Sequence, residues 1–337
     1  MRRFKKMIIW LMTVLILGGA LWFLKFAKHD PLNIDLSQAN KDYWGVTFSR
    51  KLCDEVGLDW KETYQAIIND LGVKYIRMPI YWDDVEIKDD YFDFNDYDYL
   101  FREGKKQGVK FIANIGWRLP RWPECHSPQW LKDLKKEEIE EESLEIIAQL
   151  VNHYKDHEEI IIWQIENEPL LNSFGICPDG DEDFLRKEVD LVKSLDDRKI
   201  LISASGELST WRREASLADV LGTTMYRVVW DKWFGYFRYP LPSWFYRFKA
   251  NLLGIKKDDI IVSELQAEPW VPNGTLADLK PNESNKSFNL KQFKANLQYA
   301  INADLNQAYL WGAEWWYLRK INGDSEYWDL AKTLFNK

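Results

Sequence analysis

The stretch Ile160-Ile161-Ile162-Trp163-Gln164-Ile165-Glu166-Asn167-Glu168-Pro169 decides how this chain is read. Three isoleucines and a tryptophan in succession suit a strand covered on both faces, as in a parallel sheet flanked by helices. Pro169 lacks a backbone N–H and stops the ladder. The strand therefore delivers Glu168 at its C-terminal end, where parallel α/β folds gather their loops and do their chemistry.

Outward from that strand the same unit recurs. Upstream, apolar runs at Tyr43–Ser49, Val73–Trp82 and Val109–Trp117 predict the first three strands. They alternate with helical stretches such as Asp59–Leu71, closed by Gly72, and Glu137–Tyr154, whose Ile146, Ile147, Leu150, Val151 and Tyr154 share one face. Downstream, Lys199–Ser205, Ala218–Tyr226, Asp259–Leu265 and Gln307–Trp316 predict strands five to eight, with helices at Asp181–Leu195, Leu290–Asp304 and Ser325–Phe335. Eight strand-and-helix units in series predict an α/β fold, a (β/α)8 TIM barrel, over residues 43–337. An open doubly wound sheet would place a glycine-rich phosphate loop after its first strand, and none follows Ser49.

Before the barrel come a basic tip, MRRFKK, and an uncharged apolar run from Met7 to Leu24, about the length needed to cross a bilayer. No small-residue cleavage site follows it, so residues 1–28 read as an uncleaved single-pass transmembrane signal anchor and 29–42 as a linker. The excess of Arg2, Arg3, Lys5 and Lys6 over Lys25 and Lys28 places the N-terminus in the cytoplasm and the barrel on the extracytoplasmic side of the cell membrane. A net charge of −8 with no basic cluster beyond the anchor argues against nucleic acid as a partner. Some of the eighteen tryptophans must fill the core, yet so many flat amphipathic rings also suit a cleft that stacks on sugar rings. Cys53, Cys125 and Cys177 allow at most one disulfide, and no histidines or cysteines cluster at metal-ligand spacing, so neither metal nor cofactor is expected.

In a barrel all strand ends share one mouth, so the acids that end strands are the ones to compare. Glu168 after strand four and Glu264 in strand seven would face each other, the minimum equipment for cleaving a glycosidic bond. Asn167-Glu168-Pro169 together with Glu264 resembles the clan A retaining glycoside hydrolases, nearest to the cellulase-like family five. The resemblance implies Glu168 as general acid/base, Glu264 as nucleophile, and an oligo- or polysaccharide substrate cleaved at β-glycosidic bonds. It also implies Arg77 beside the nucleophile, Tyr226 on its second oxygen, Asn167 on the sugar's 2-hydroxyl, and Trp311 or Trp315 as a sugar platform. Trp117, with Arg118 and Trp122, is expected along the glycone side, a packed loop being the equal alternative.

Thr224 stands where family five carries a histidine, and the strand-three histidines are missing near Asn114–Trp117. Glu166 reads as structural, and Glu268 and Glu314 as loop or rim residues. The aromatic and basic stretch Val228–Gly254 leaves three readings open: a buried loop plus helix, a cleft wall, or a membrane-interface contact. A non-catalytic glycan-binding barrel and a transglycosylase using the same residues are the competing functions.

Overall fold

A computed structural model of the protein describes residues 10, 12–14, 17–19 and 33–336. Eight strands close into a parallel barrel: β1 Trp44–Thr47, β2 Tyr75–Pro79, β3 Lys110–Ile115, β4 Ile160–Ile165, β5 Lys199–Ala204, β6 Val220–Met225, β7 Ile260–Gln266 and β8 Ala308–Trp311. Each strand pairs with its neighbours in sequence, and β8 pairs with β1. Helices cover the outside. Asn95–Lys106 turns Tyr97, Leu100 and Phe101 inward and ends on Lys105 and Lys106, whose charge suits the negative end of the helix. Glu182–Leu195 starts where the Asp181 side chain accepts from the backbone N–H groups of Asp183 and Phe184.

Strand alternation sorts the barrel interior into layers. Ile112, Ile162, Leu201, Val220, Ile261 and Tyr309 pack with Tyr75 in an apolar layer. Two residues further along the same strands stand Arg77, Asn114, Gln164 and Ser203, all fully buried. The polar mouth of the barrel thus follows from the period-two pattern, one step above its apolar floor.

One expectation is corrected, and one open stretch takes shape. The eighth strand stops at Trp311 rather than Trp316, because Gly312 adopts φ 128° and opens a helix, Ala313–Ile321. A side chain there would collide with Glu268, whose Cβ lies 2.6 Å from the site of an added Cβ. Within Val228–Gly254, strands Val228–Asp231 and Gly235–Arg238 form an antiparallel hairpin, followed by a helix, Trp244–Leu252. Tyr246 and Ala250 anchor that helix, whereas Trp233 and Phe234 stand about four-fifths exposed at the hairpin tip.

The anchor expected over Met7–Leu24 lies mostly outside the described residues, as do the first four residues, 29–32, of the expected linker. No helix among the described residues is long and apolar enough to cross a membrane.

Candidate active site

Arg77 on β2 is wholly buried and spends its donors on acceptors from four directions. Nη1 donates to Glu264 Oε1 at 2.9 Å, Nη2 to Asn167 Oδ1 at 2.7 Å and to Asn114 Oδ1 at 3.5 Å, and Nε to Gln164 Oε1 at 2.6 Å. Burying an unpaired guanidinium costs several kcal/mol. Here the fork is matched by acceptors, which fixes Glu264 and Asn167 relative to each other.

Glu264 reaches the mouth through an irregularity: the pairing of β7 with β6 slips between Val262 and Glu264. Such a slip re-aims a side chain that strict alternation would direct elsewhere. The second oxygen, Oε2, accepts from the Tyr226 hydroxyl at 2.9 Å. Both oxygens therefore face donors, the arrangement a carboxylate needs.

Glu168 is treated differently. It lies just past β4 at φ 46°, in left-handed backbone that an L-residue adopts only when its surroundings impose it. Ser203 Oγ accepts its N–H at 2.9 Å and donates to Asn167 Oδ1 at 3.1 Å. Its Oε1 lies 3.3 Å from the Thr224 hydroxyl. Burial, followed by the negative charges of Glu264, Glu124 and Glu207, pushes its carboxyl well above the usual range. The mouth thus holds one carboxyl pushed up by burial and neighbouring charge beside another that accepts from Arg77 and Tyr226, so the two face unequal surroundings.

Glu124 belongs to the site and escaped the sequence reading. It comes from the loop after β3, is buried, and its Oε2 accepts from Asn167 Nδ2 at 3.0 Å. Burial and the charge of Glu264 push it up to about 8. Asn167 therefore offers its amide N–H to Glu124, where the resemblance implies a sugar hydroxyl. Loop residues carry no periodicity that reports where a carboxyl points, so nothing in the sequence pattern singled out Glu124.

That loop is fastened twice. Cys125 bonds to Cys177 in the loop after β4, leaving Cys53 buried and free. Glu166, as expected, is structural: it accepts from the backbone N–H groups of Trp117 and Arg118, both at 2.6 Å, tying the same loop to β4. The disulfide closes a loop with a sequence separation of 52, which corresponds to about 4 kcal/mol of loop-closure entropy. Cys125→Ser is expected to lower the urea midpoint accordingly. It should also depress activity further than stability alone explains, because the loop carrying Glu124 loses its tether; equal midpoints with and without reductant would contradict this.

The expected platforms divide. Trp311 ends β8 at the mouth, but Arg121 lies over its ring at 4.0 Å. Trp315 is not at the mouth. It sits on the helix after Gly312, 4% exposed, against Phe288 and Tyr327. Trp117 donates Nε1–H to Ser127 Oγ at 2.6 Å and lines a small cavity with Cys125, Pro169 and Cys177, to which neither Glu168 nor Glu264 contributes. The aromatics that do approach Glu264 form a chain: Tyr226 meets Trp270, Trp270 meets Phe174, and Phe174 meets the exposed Trp122, at centroid distances of 5.8, 6.0 and 5.9 Å.

Of the two acids expected in loops or at the rim, Glu268 lies in the loop after β7, whereas Glu314 lies on the helix Ala313–Ile321 and is buried. Arg121 draws both Glu268 and Glu314 inward as ion-pair partners. Glu314 is fully buried, accepts from the Ser49 N–H, and is pushed up to about 7 by burial. Arg121 explains why: three carboxyl-bearing or aromatic side chains converge on one guanidinium, a constellation no local sequence pattern displays.

Residues 45–202, a little under half of the chain, match the cellulase family, glycosyl hydrolase family 5. No curated protein matches the sequence. Among solved structures, the native xylanase 10B of Thermotoga maritima is similar at 14% identity and TM-score 0.53, over 80% of this chain and 82% of that one. A glycosylated endo-β-1,4-xylanase of family 10 from Gloeophyllum trabeum is similar at 13% identity and TM-score 0.52, over 80% and 83%. A β-galactosidase from Bacillus circulans sp. alkalophilus gives 13% and 0.51, over 80% of this chain and 50% of its own. At such identities the likeness speaks for the shared barrel fold. With the matched stretch beside it, the chain resembles the clan A glycoside hydrolases and stands nearest to family five.

Proposed function

We propose that the protein is a glycoside hydrolase that cleaves β-glycosidic bonds with retention, using Glu264 as nucleophile and Glu168 as acid/base. The observation that carries this reading is the unequal treatment of the two carboxyls: Glu264 between Arg77 and Tyr226, Glu168 buried and pushed up. Attack by Glu264 on the anomeric carbon forms a glycosyl ester as Glu168 protonates the departing oxygen. Glu168, now a carboxylate, takes a proton from the water that hydrolyses the ester. Retention calls for carboxyl groups about 5–5.5 Å apart. Transglycosylation differs only in the acceptor that replaces water.

A second reading, a barrel that binds glycans without turning them over, draws support from Arg121 covering the face of Trp311. A panel of aryl β-glycosides and polysaccharides offered to the soluble barrel separates the two. Release of product, with the β-anomer seen first by proton NMR, supports the hydrolase; binding without cleavage across the panel supports the second reading.

The reading extends to location: a barrel tethered through Met7–Leu24 on the outer side of the membrane, acting on an extracytoplasmic oligo- or polysaccharide. The apolar run and the Cys125–Cys177 disulfide, a bond that persists in oxidising compartments, support it. Protease added to intact cells should release the barrel, whereas full protection of the chain would contradict the orientation.

A further inference from the structure

Thr224 stands where family five carries a histidine, and its surroundings supply a replacement of a different kind. Its Oγ1 lies 3.3 Å from Glu168 Oε1 and 3.4 Å from Glu207 Oε2, and it accepts the Gly206 N–H at 3.1 Å. Position 206 admits only glycine, since an added Cβ would lie 2.1 Å from the Thr224 carbonyl oxygen. Glu207 is anchored at its other oxygen: Oε1 accepts from the Tyr246 hydroxyl at 2.7 Å and from the Tyr226 N–H at 2.9 Å.

A hydroxyl has one proton and two lone pairs. Gly206 takes one lone pair, leaving one donor and one acceptor position for two carboxyl groups. Thr224 can donate to only one of them, so the other must bring its own proton. With Glu207 ionised, Thr224 turns its proton toward Glu207 and presents a lone pair to Glu168. Only a protonated Glu168 can use that lone pair.

We propose that Glu207, acting through Thr224, is a positioning residue that keeps the catalytic proton on Glu168 in the resting enzyme. No proton moves between Glu207 and Glu168; the hydroxyl merely rotates, and after Glu168 has given up its proton Thr224 can turn to donate to it. The charge of Glu207 acts in the same direction, since it raises Glu168. Glu207 is itself pushed up to about 7 by burial, with Tyr246, the Tyr226 N–H and Arg227 drawing it down. Lys249, Tyr239 and Tyr299 also feel its charge.

This inference rests on the hydrolase reading for its kinetic consequence but not for its titration. In Glu207→Gln the amide can donate to Thr224, which frees the Thr224 proton for a Glu168 carboxylate. The alkaline limb of kcat/KM is expected to move down by about one pH unit, roughly a tenfold loss on that limb. Hydrolysis of a poor leaving group should fall about tenfold further than that of a 2,4-dinitrophenyl glycoside. Thr224→Val should alter the same limb, and Thr224→Ser should restore it. An unmoved limb in both Glu207→Gln and Thr224→Val, or equal losses on the two leaving groups, would overturn the proposal.

Carbon-13 NMR of glutamate-labelled protein, with the Glu168 signal assigned by its absence in Glu168→Gln, reads the titration without substrate. A lower Glu168 midpoint in Glu207→Gln supports the proposal even if no glycoside is cut, in which case the hydrolase reading alone fails. An unchanged midpoint in a folded variant overturns the proposal whatever the activity.

Discussion

Glu264→Ala is expected to reduce turnover on the order of 10^5-fold, about 7 kcal/mol of transition-state stabilisation, while leaving glycan affinity nearly intact. The substitution removes the proposed nucleophile and spares the aromatic chain from Tyr226 to Trp122. It also leaves Arg77 buried with three of its four acceptor side chains, Asn114, Gln164 and Asn167, so the fold should survive at a cost of about 3–5 kcal/mol. Azide, a small anionic nucleophile, is expected to enter the vacated space beside Arg77 and attack the anomeric carbon directly. Rescue by azide should yield the α-glycosyl azide, a single inversion in place of two. Kinetics and product NMR read both effects; a variant with wild-type rates would remove Glu264 from the chemistry.

Glu168→Ala should produce a split rather than a uniform loss. A leaving group such as 2,4-dinitrophenolate departs without a proton, so formation of the glycosyl ester should proceed nearly as in the parent. Ester hydrolysis then lacks its base, and the intermediate should accumulate as a burst followed by a slow steady state. On unactivated glycosides, where the oxygen must be protonated as it leaves, the loss should be about 10^2–10^4-fold in kcat/KM. The pH dependence has a defined sign. Burial and neighbouring carboxylates push Glu168 up, so the acid form persists to higher pH than an ordinary glutamate would allow, and activity should fall on the alkaline side as it ionises. Glu168→Ala should erase that alkaline limb for activated substrates; an unaltered limb would assign it to another group.

Much of this architecture was legible from local pattern. The isoleucine run, its stop at Pro169 and the recurrence of strand and helix sufficed for the barrel and for singling out Glu168 and Glu264 as strand-end acids, whereas Arg77, Asn167 and Tyr226 came from the resemblance to the clan A glycoside hydrolases. The polar layer of Asn114, Gln164 and Ser203 was also available, since each sits two residues along its strand from an apolar interior residue. What escaped depends on loops and long-range charge. Glu124 and Arg121 lie in the loop after β3 at φ 79° and 90°, and their side chains meet partners far away in sequence, Asn167 and Glu268. Trp315 was misplaced because strand periodicity continues unbroken across Gly312, and only the close approach of Glu268 reveals that the chain must turn there. Glu207 was invisible for a similar reason: its significance lies in Thr224, 17 residues away, and in a hydroxyl's single proton.

The claim that Glu264 forms a covalent bond to the sugar can be read directly. A 2-deoxy-2-fluoro glycoside with a 2,4-dinitrophenyl leaving group, built on whichever sugar the aryl panel shows to be cut, slows both steps but the second more. The glycosyl ester should therefore accumulate. Mass spectrometry of a peptic digest should find the added fluorosugar on the peptide spanning Ile260–Gln266, with fragmentation placing it on Glu264. A label on Glu168 or Glu124, or steady hydrolysis of the parent glycoside with inverted product and no labelled peptide, would contradict the account.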